Sequence, residues 1–190
     1  MINKLNNSSR KIITLEDPVE YFIEGVNQSQ IKPEIGLTFA SGLRSILRQD
    51  PDICMVGEIR DLESAEIAIQ AALTGHLMLS TIHTNSASGA IPRFLSMGVK
   101  PFLLAPALNS VIGQRLVRLI CQQCIVEAKL TSEQDQRVQD LLKVLPAKEL
   151  AKIDITKLHF YKGAGCEACS GLGYKGRTGI YEIFVMTKEI

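Results

Sequence analysis

Nowhere in this chain is glycine followed by lysine, and no segment reads GxxxxGK(S/T). The glycine-rich loop whose backbone N–H groups commonly cradle a phosphate is therefore not among these residues. No apolar run approaches the roughly 18 residues that a membrane-crossing helix needs, and the opening MINKLNNSSRK lacks the apolar centre of a secretory leader. An excess of one charge is missing too: 21 Lys and Arg face 20 Asp and Glu, a formal +1, so no global field draws the chain to nucleic acid or to an acidic membrane. Aromatic residues make up only 5% and Trp is absent, which leaves no interleaved stacking residues for single-stranded nucleic acid. These absences predict a cytoplasmic protein, held elsewhere only by a partner.

What is present suffices for a folded core. At 190 residues, 46% of them hydrophobic and 22% charged, the chain has room for one ordinary domain and a small appended module. Five cysteines occur, and four of them form two CxxC pairs, Cys121 with Cys124 and Cys166 with Cys169. Two such pairs in a chain without an export signal point to a closed tetrahedral zinc site of structural type, with four thiolates leaving no open coordination position. Cys54, inside an apolar run, reads as a small buried residue.

The first half alternates strand-like and helix-like segments. KIITLED, DICMVGE and HLMLSTIH read as strands. TFASGLRSILRQ has helical spacing behind a Thr38 cap, DLESAEIAIQAALTG runs from an Asp61 cap to a Gly75 stop, and SASGAIPRFLSMG supplies another helix. This alternation predicts an α/β layer architecture with a mainly parallel sheet. The stretch 101–120 reads as two helices broken near Gly113. A charged segment from Glu127 to Lys157 contains a helix capped by Thr131, and GRTGIYEIFVMT reads as a strand.

Unusual residues gather where the strands end. Ligands of open parallel sheets bind at the carboxyl ends of the strands, and there the sequence puts Glu16, Asp17 and Glu20, then Glu58, then His83. Pro18 fixes the turn that carries the first group. Gly57 allows close backbone approach just before Glu58. His76 and His83 are an odd number of residues apart, so both can serve one face only if at least one lies beyond the regular strand.

ITLEDPVEY, LRSILRQDPDICMVGEIRD, ALTGHLMLSTIHTNSA, QRLVRLIC and GCEACSGLGYKGRTGIYE resemble, in order, the acidic box, Walker B segment, histidine box and cysteine region of the type II secretion and type IV pilus assembly ATPases. The resemblance implies a RecA-like P-loop NTPase core, with ATP and Mg2+ as cofactors and structural Zn2+. It also implies a homo-hexamer, peripheral to the inner membrane on its cytoplasmic side and working with membrane platform proteins. In that family's terms Glu20 helps activate the attacking water with Asp17 nearby, Glu58 acts on magnesium or water, and Arg60 belongs to the same motif. His76 and His83 become sensors of the γ-phosphate or of a neighbouring subunit, and Arg48 and Arg93 become phosphate-reaching arginines. Arg48 equally fits a cation at the favourable end of a helix dipole.

The family's Walker A loop would lie upstream of residue 1, and its final helices beyond residue 190. The expectation is a C-terminal fragment that by itself neither binds nor hydrolyses ATP productively. Its parts would be a core at 1–120, a tetracysteine zinc subdomain at 121–170 and a return strand at 171–190. A different class of function, a non-catalytic scaffold docking through its zinc module, uses the same residues without nucleotide. CEACSGLG also fits the CxxCxGxG repeat of J-domain chaperones, although CQQCIVEA lacks the glycines. A nucleic-acid ribbon is disfavoured by the charge balance.

Overall fold

In a computed structural model, residues 1–154 and 158–187 are described, so the end of the charged segment lies outside them. Four parallel strands, β1 (Ile12–Glu16), β2 (Asn27–Gln30), β3 (Ile53–Val56) and β4 (Leu77–Ser80), form one sheet in the order β2-β1-β3-β4. In register, Ile13 lies beside Cys54 and Leu15 beside Val56, so side chains two apart in each strand share a face. That face packs against Leu43 and Ile46 of α2 (Phe39–Leu47) and against Ala65, Ala68 and Ile69 of α3 (Leu62–Leu73). The opposite face puts Ile12 and Ile53 together with Ile2 of α1 (Ile2–Leu5) and with Val26. Every residue of β1 is buried, so both faces of the strand are covered and its apolar residues do not alternate with exposed polar ones, Thr14 and Glu16 being buried with them.

The helix ends follow their sequence signals. The Thr38 side chain accepts a hydrogen bond from the Ser41 N–H while Ser41 reciprocates, and Asp61 accepts from the Ser64 N–H at 2.8 Å. After α3 the chain turns at Gly75 with φ +106°, a conformation open to glycine. Two short helices follow, α4 (Ala90–Ser96) and α5 (Pro101–Ala107). Leu43, fully buried between α2 and the sheet, sets the first prediction. Leu43→Ala should cost about 3 kcal/mol, read as a lower denaturation midpoint at unchanged slope.

Two elements differ from the sequence-based expectation. β2 has the sequence NQSQ, without one apolar residue, and it exists because it pairs along β1 from Asn27 beside Ile13 to Gln30 beside Glu16. The second helix expected within 101–120 is instead a strand, β5 (Ser110–Ile120), paired with β8 (Tyr174–Val185). A helix would need a surface to bury its apolar stripe, whereas Leu116 is 59% exposed and Val117 and Leu119 are also open. Backbone pairing with a distant strand, together with β-branched Val111, Ile112, Val117 and Ile120, decides the conformation.

The chain divides into two compact units, Met1–Gly113 with the chain from Tyr181, and Gln114–Ile180. The second unit holds the antiparallel pair β6 (Ile125–Glu127) and β7 (Tyr161–Gly163), α6 (Ser132–Val144) and α7 (Ala147–Leu150). Thr131 and Gln134 form a capping box at the start of α6, and α6 buries none of its residues. Among the described residues no helix is long and apolar enough to cross a membrane.

Candidate active site and metal centre

The carboxyl ends of β1, β3 and β4 converge on Glu58. Its neighbour Gly57 donates its N–H to the Leu15 carbonyl at 2.7 Å, and a Cβ added to Gly57 would come within 3.2 Å of that same oxygen. The Gly57 carbonyl in turn accepts from Thr81 Oγ1 at 2.6 Å, and the Ile59 N–H reaches the Thr81 carbonyl at 3.0 Å. The backbone around Glu58 is thus pinned from both sides by the strands flanking β3. One carboxylate oxygen accepts from the Arg60 guanidinium and the other meets His83 Nε2 at 3.1 Å. The Glu58 side chain is only 13% exposed, while that of His83 is 84% exposed.

Arg60, with His83 adding to it, holds the Glu58 carboxyl below the usual carboxylate range, against the opposing effect of its partial burial. Reciprocally, Glu58 holds the Arg60 proton more tightly, and the Asp17 carboxylate adds a smaller effect of the same sign. A carboxylate depressed by folding stabilises the folded state fully above its ordinary pKa, near 4.5, and that stability is lost as pH falls through the lower folded value. Glu58→Gln should therefore flatten the acid side of the stability–pH curve below about pH 4.5, measured by denaturation at a series of pH values.

The acidic loop after β1 is organised by Thr14 and Gln28, to which the sequence pattern assigns no role, acting through Glu16. Glu16 is buried and accepts from Thr14 Oγ1 at 2.6 Å and from Gln28 Nε2 at 2.9 Å. Gln28 also donates to the Tyr21 carbonyl at 3.0 Å and accepts the Ile23 N–H at 2.7 Å. Glu16 therefore serves the fold, while Asp17 and Glu20 stay exposed in the loop that Gln28 ties down. The signal for Gln28 in the sequence was a polar tetrad set between two apolar positions, Val26 and Ile31. Gln28→Ala should raise Ile23 amide exchange by about tenfold, leaving the Leu43 amide protected.

His76 and Arg48 fall at the other end of the sheet. His76 precedes β4, with Nδ1 3.0 Å from the Ala71 carbonyl and 3.3 Å from Thr74 Oγ1. Arg48 is the exposed C-terminal cap of α2, where the chain leads into β3. Arg93 is exposed on α4. The structure thus brings Glu58, Arg60 and His83 together near Asp17, and leaves His76 and Arg48 away from them.

In the second unit the four cysteine sulfurs all lie within 4.8 Å of one another. Cys166 and Cys169 are 3.8 Å apart, and Cys121–Cys166 and Cys124–Cys169 are each 3.9 Å. Four sulfurs at about 2.3 Å from a central zinc stand about 3.8 Å apart at tetrahedral angles, so the donor set fits this ion. Cys169 Sγ receives N–H groups from Cys166 and Gly173, each at 3.2 Å, and these backbone donors lower its thiol to about 6. Burial instead pushes Cys124 up to about 11. The glycines around the second pair belong to this geometry: a Cβ on Gly163 would lie 1.9 Å from the Gly173 carbonyl oxygen. Cys54 stands apart in β3, its thiol raised to about 11 by burial.

All 190 residues match the family profile described as type II/IV secretion system protein. The chain belongs to this family. Similar proteins include the type II secretion system protein E of Pseudomonas aeruginosa, 51% identical over 97% of this chain and 34% of the relative. The type II secretion system ATPase E of Vibrio cholerae is 48% identical, again over 97% of this chain and 34% of the relative. The type IV pilus assembly ATPase PilB of Thermus thermophilus is 49% identical across the whole chain and 20% of its own length. Among solved structures, the pilus retraction motor PilT with bound ADP superposes with a TM-score of 0.58 at 30% identity, over 84% of this chain and 53% of PilT. The chain spans about a third of the type II secretion relatives it matches. The chain thus has an α/β core like those of the similar ATPases and, in its second unit, a tetracysteine cluster.

Proposed function

We propose that these residues are the part of a secretion or pilus-assembly motor that presents the catalytic carboxylates, with the phosphate-binding loop supplied by residues outside the 190. The observation that carries this reading is Glu58, pinned at the end of a buried parallel strand and held ionised between Arg60 and His83. The donor set around it, carboxylates with a cationic partner, suits a hard cation and an attacking water. Bound Mg-ATP would supply the phosphoryl group to be transferred.

Within that reading Glu58 is the Walker B carboxylate; it would help to hold magnesium, and it accepts a hydrogen bond from the attacking water. Arg60 and His83 each hold one oxygen of that carboxylate and so fix its orientation. Asp17 and Glu20 bring further acceptors on the loop held by Gln28, with Glu20 helping to activate the water. His76 and Arg48, standing away from Glu58, and Arg93, exposed on α4, serve across a boundary with a neighbouring subunit of a hexamer. The cysteine cluster holds structural zinc, and the assembly works on the cytoplasmic face of the inner membrane with platform proteins.

Magnesium-dependent ATP hydrolysis tests this. A form extended upstream to include GxxxxGK(S/T) should turn over, and residues 1–190 alone should not. Turnover by the short form would place the phosphate site among residues given no such role here. Failure of both would favour the scaffold reading, in which the zinc module docks without nucleotide.

A further inference from the structure

The loop between β4 and α4 carries His83, and its own hydrogen bonds close it on itself. Thr84 Oγ1 donates to the Ser86 carbonyl at 2.9 Å, the Gly89 N–H reaches Ser86 Oγ at 3.1 Å, and the Ala90 N–H reaches the Ala87 carbonyl at 3.2 Å. Ala87 at its centre is buried, and its N–H is taken by a side chain from far along the sequence. Glu182 Oε2, on β8, accepts it at 2.8 Å. A charged acceptor on an otherwise inward backbone amide is a strong and directional tether. Gly113 packs onto this contact, since a Cβ there would stand 3.3 Å from both the Ala87 nitrogen and Glu182 Oε2.

We infer that Glu182 is a positioning residue for the site: by holding Ala87 it fixes the turn four residues beyond His83, and so keeps His83 Nε2 on the Glu58 carboxylate. Without the tether the Ala87 N–H would lose its acceptor, and the loop would exchange one arrangement for several. His83 is exposed to solvent and has few contacts of its own to hold it, so its aim depends on the loop backbone. Gly113 explains itself on the same basis, because a larger residue would push Glu182 from the amide. Only the purpose of that aim rests on the proposed function; the tether itself does not.

The chain contains three histidines, which makes side-chain NMR of the 190-residue protein direct and independent of nucleotide. In Glu182→Ala, the His83 ring signals should move toward those of Glu58→Gln, where its partner charge is removed. His76 and His159 signals should stay in place, and Ala87 amide exchange should rise by about tenfold or more. Glu182→Gln, which keeps an acceptor oxygen at the same reach, should restore the wild-type His83 signals. His83 signals unchanged in Glu182→Ala while Ala87 exchange accelerates would overturn the inference. If Glu182→Ala does not fold, Glu182→Asp, with its carboxylate drawn back by one methylene, is read in the same way, and an unmoved His83 again overturns it. Loss of the tether would leave the ATPase reading standing, and failure of the ATPase reading would leave the tether standing.

Discussion

Glu58→Gln, placed in a form that carries the phosphate-binding loop, is expected to lower kcat by about 10²- to 10⁴-fold while Mg-ATP still binds. The substitution keeps the size of the side chain and one acceptor oxygen, so the pinned backbone from Gly57 to Ile59 has no cause to move. It removes the negative charge that Arg60 and His83 face, and with it the acceptor for a proton or for a water on a hard cation. A loss of that size corresponds to roughly 3–5 kcal/mol of transition-state stabilisation, at about 1.36 kcal/mol per tenfold. Steady-state hydrolysis together with nucleotide binding separates the two effects. A fall in affinity with kcat unchanged would mean that Glu58 holds ligand instead of serving chemistry.

Cys169→Ser is expected to have the largest effect on structure. Cys169 is buried and its sulfur already accepts the Cys166 and Gly173 N–H groups, so the second CxxC pair is built around it. Structural zinc contributes apparent folding energy of about 10–16 kcal/mol in small modules, comparable to the roughly 5–15 kcal/mol total stability of a domain. Metal analysis should find about one zinc per wild-type chain, the single ion a four-sulfur site holds, and essentially none in the variant. Amide exchange should then lose protection through the unit Gln114–Ile180. Gly163→Ala should do the same with every ligand intact, because its methyl would overlap the Gly173 carbonyl oxygen. Full zinc retention by both variants would show that the four sulfurs are not the site.

The parts of the fold that were legible are those where local chemistry and tertiary packing agree. Ile13, Leu15, Cys54 and Val56 are apolar because both faces of the sheet are covered, and Thr38, Asp61 and Thr131 cap helices with their own side chains. The meeting of Glu58 with His83 follows from parallel strands ending side by side. The paired cysteines announced a cluster because few other roles call for two CxxC knuckles.

What stayed hidden depends on partners remote in sequence. β2 carries no apolar signal, since a polar edge strand is made by β1's backbone. β5 has helical spacing by composition, and only pairing with β8 shows that its backbone is extended. Gln28 and Glu182 act through backbone groups, which leave no trace in residue type at their targets. His76 and His83 look like a pair in sequence, yet a strand separates them and sends them to opposite ends of the sheet.

The most direct test is calorimetry of Mg-ATP against residues 1–190 and against the form extended upstream through GxxxxGK(S/T). Binding by the extended form alone is the expected result, with the carboxylates on this chain and the phosphate cradle on the added residues. Binding of equal strength by residues 1–190 would contradict it, since the phosphates would then be held without that loop.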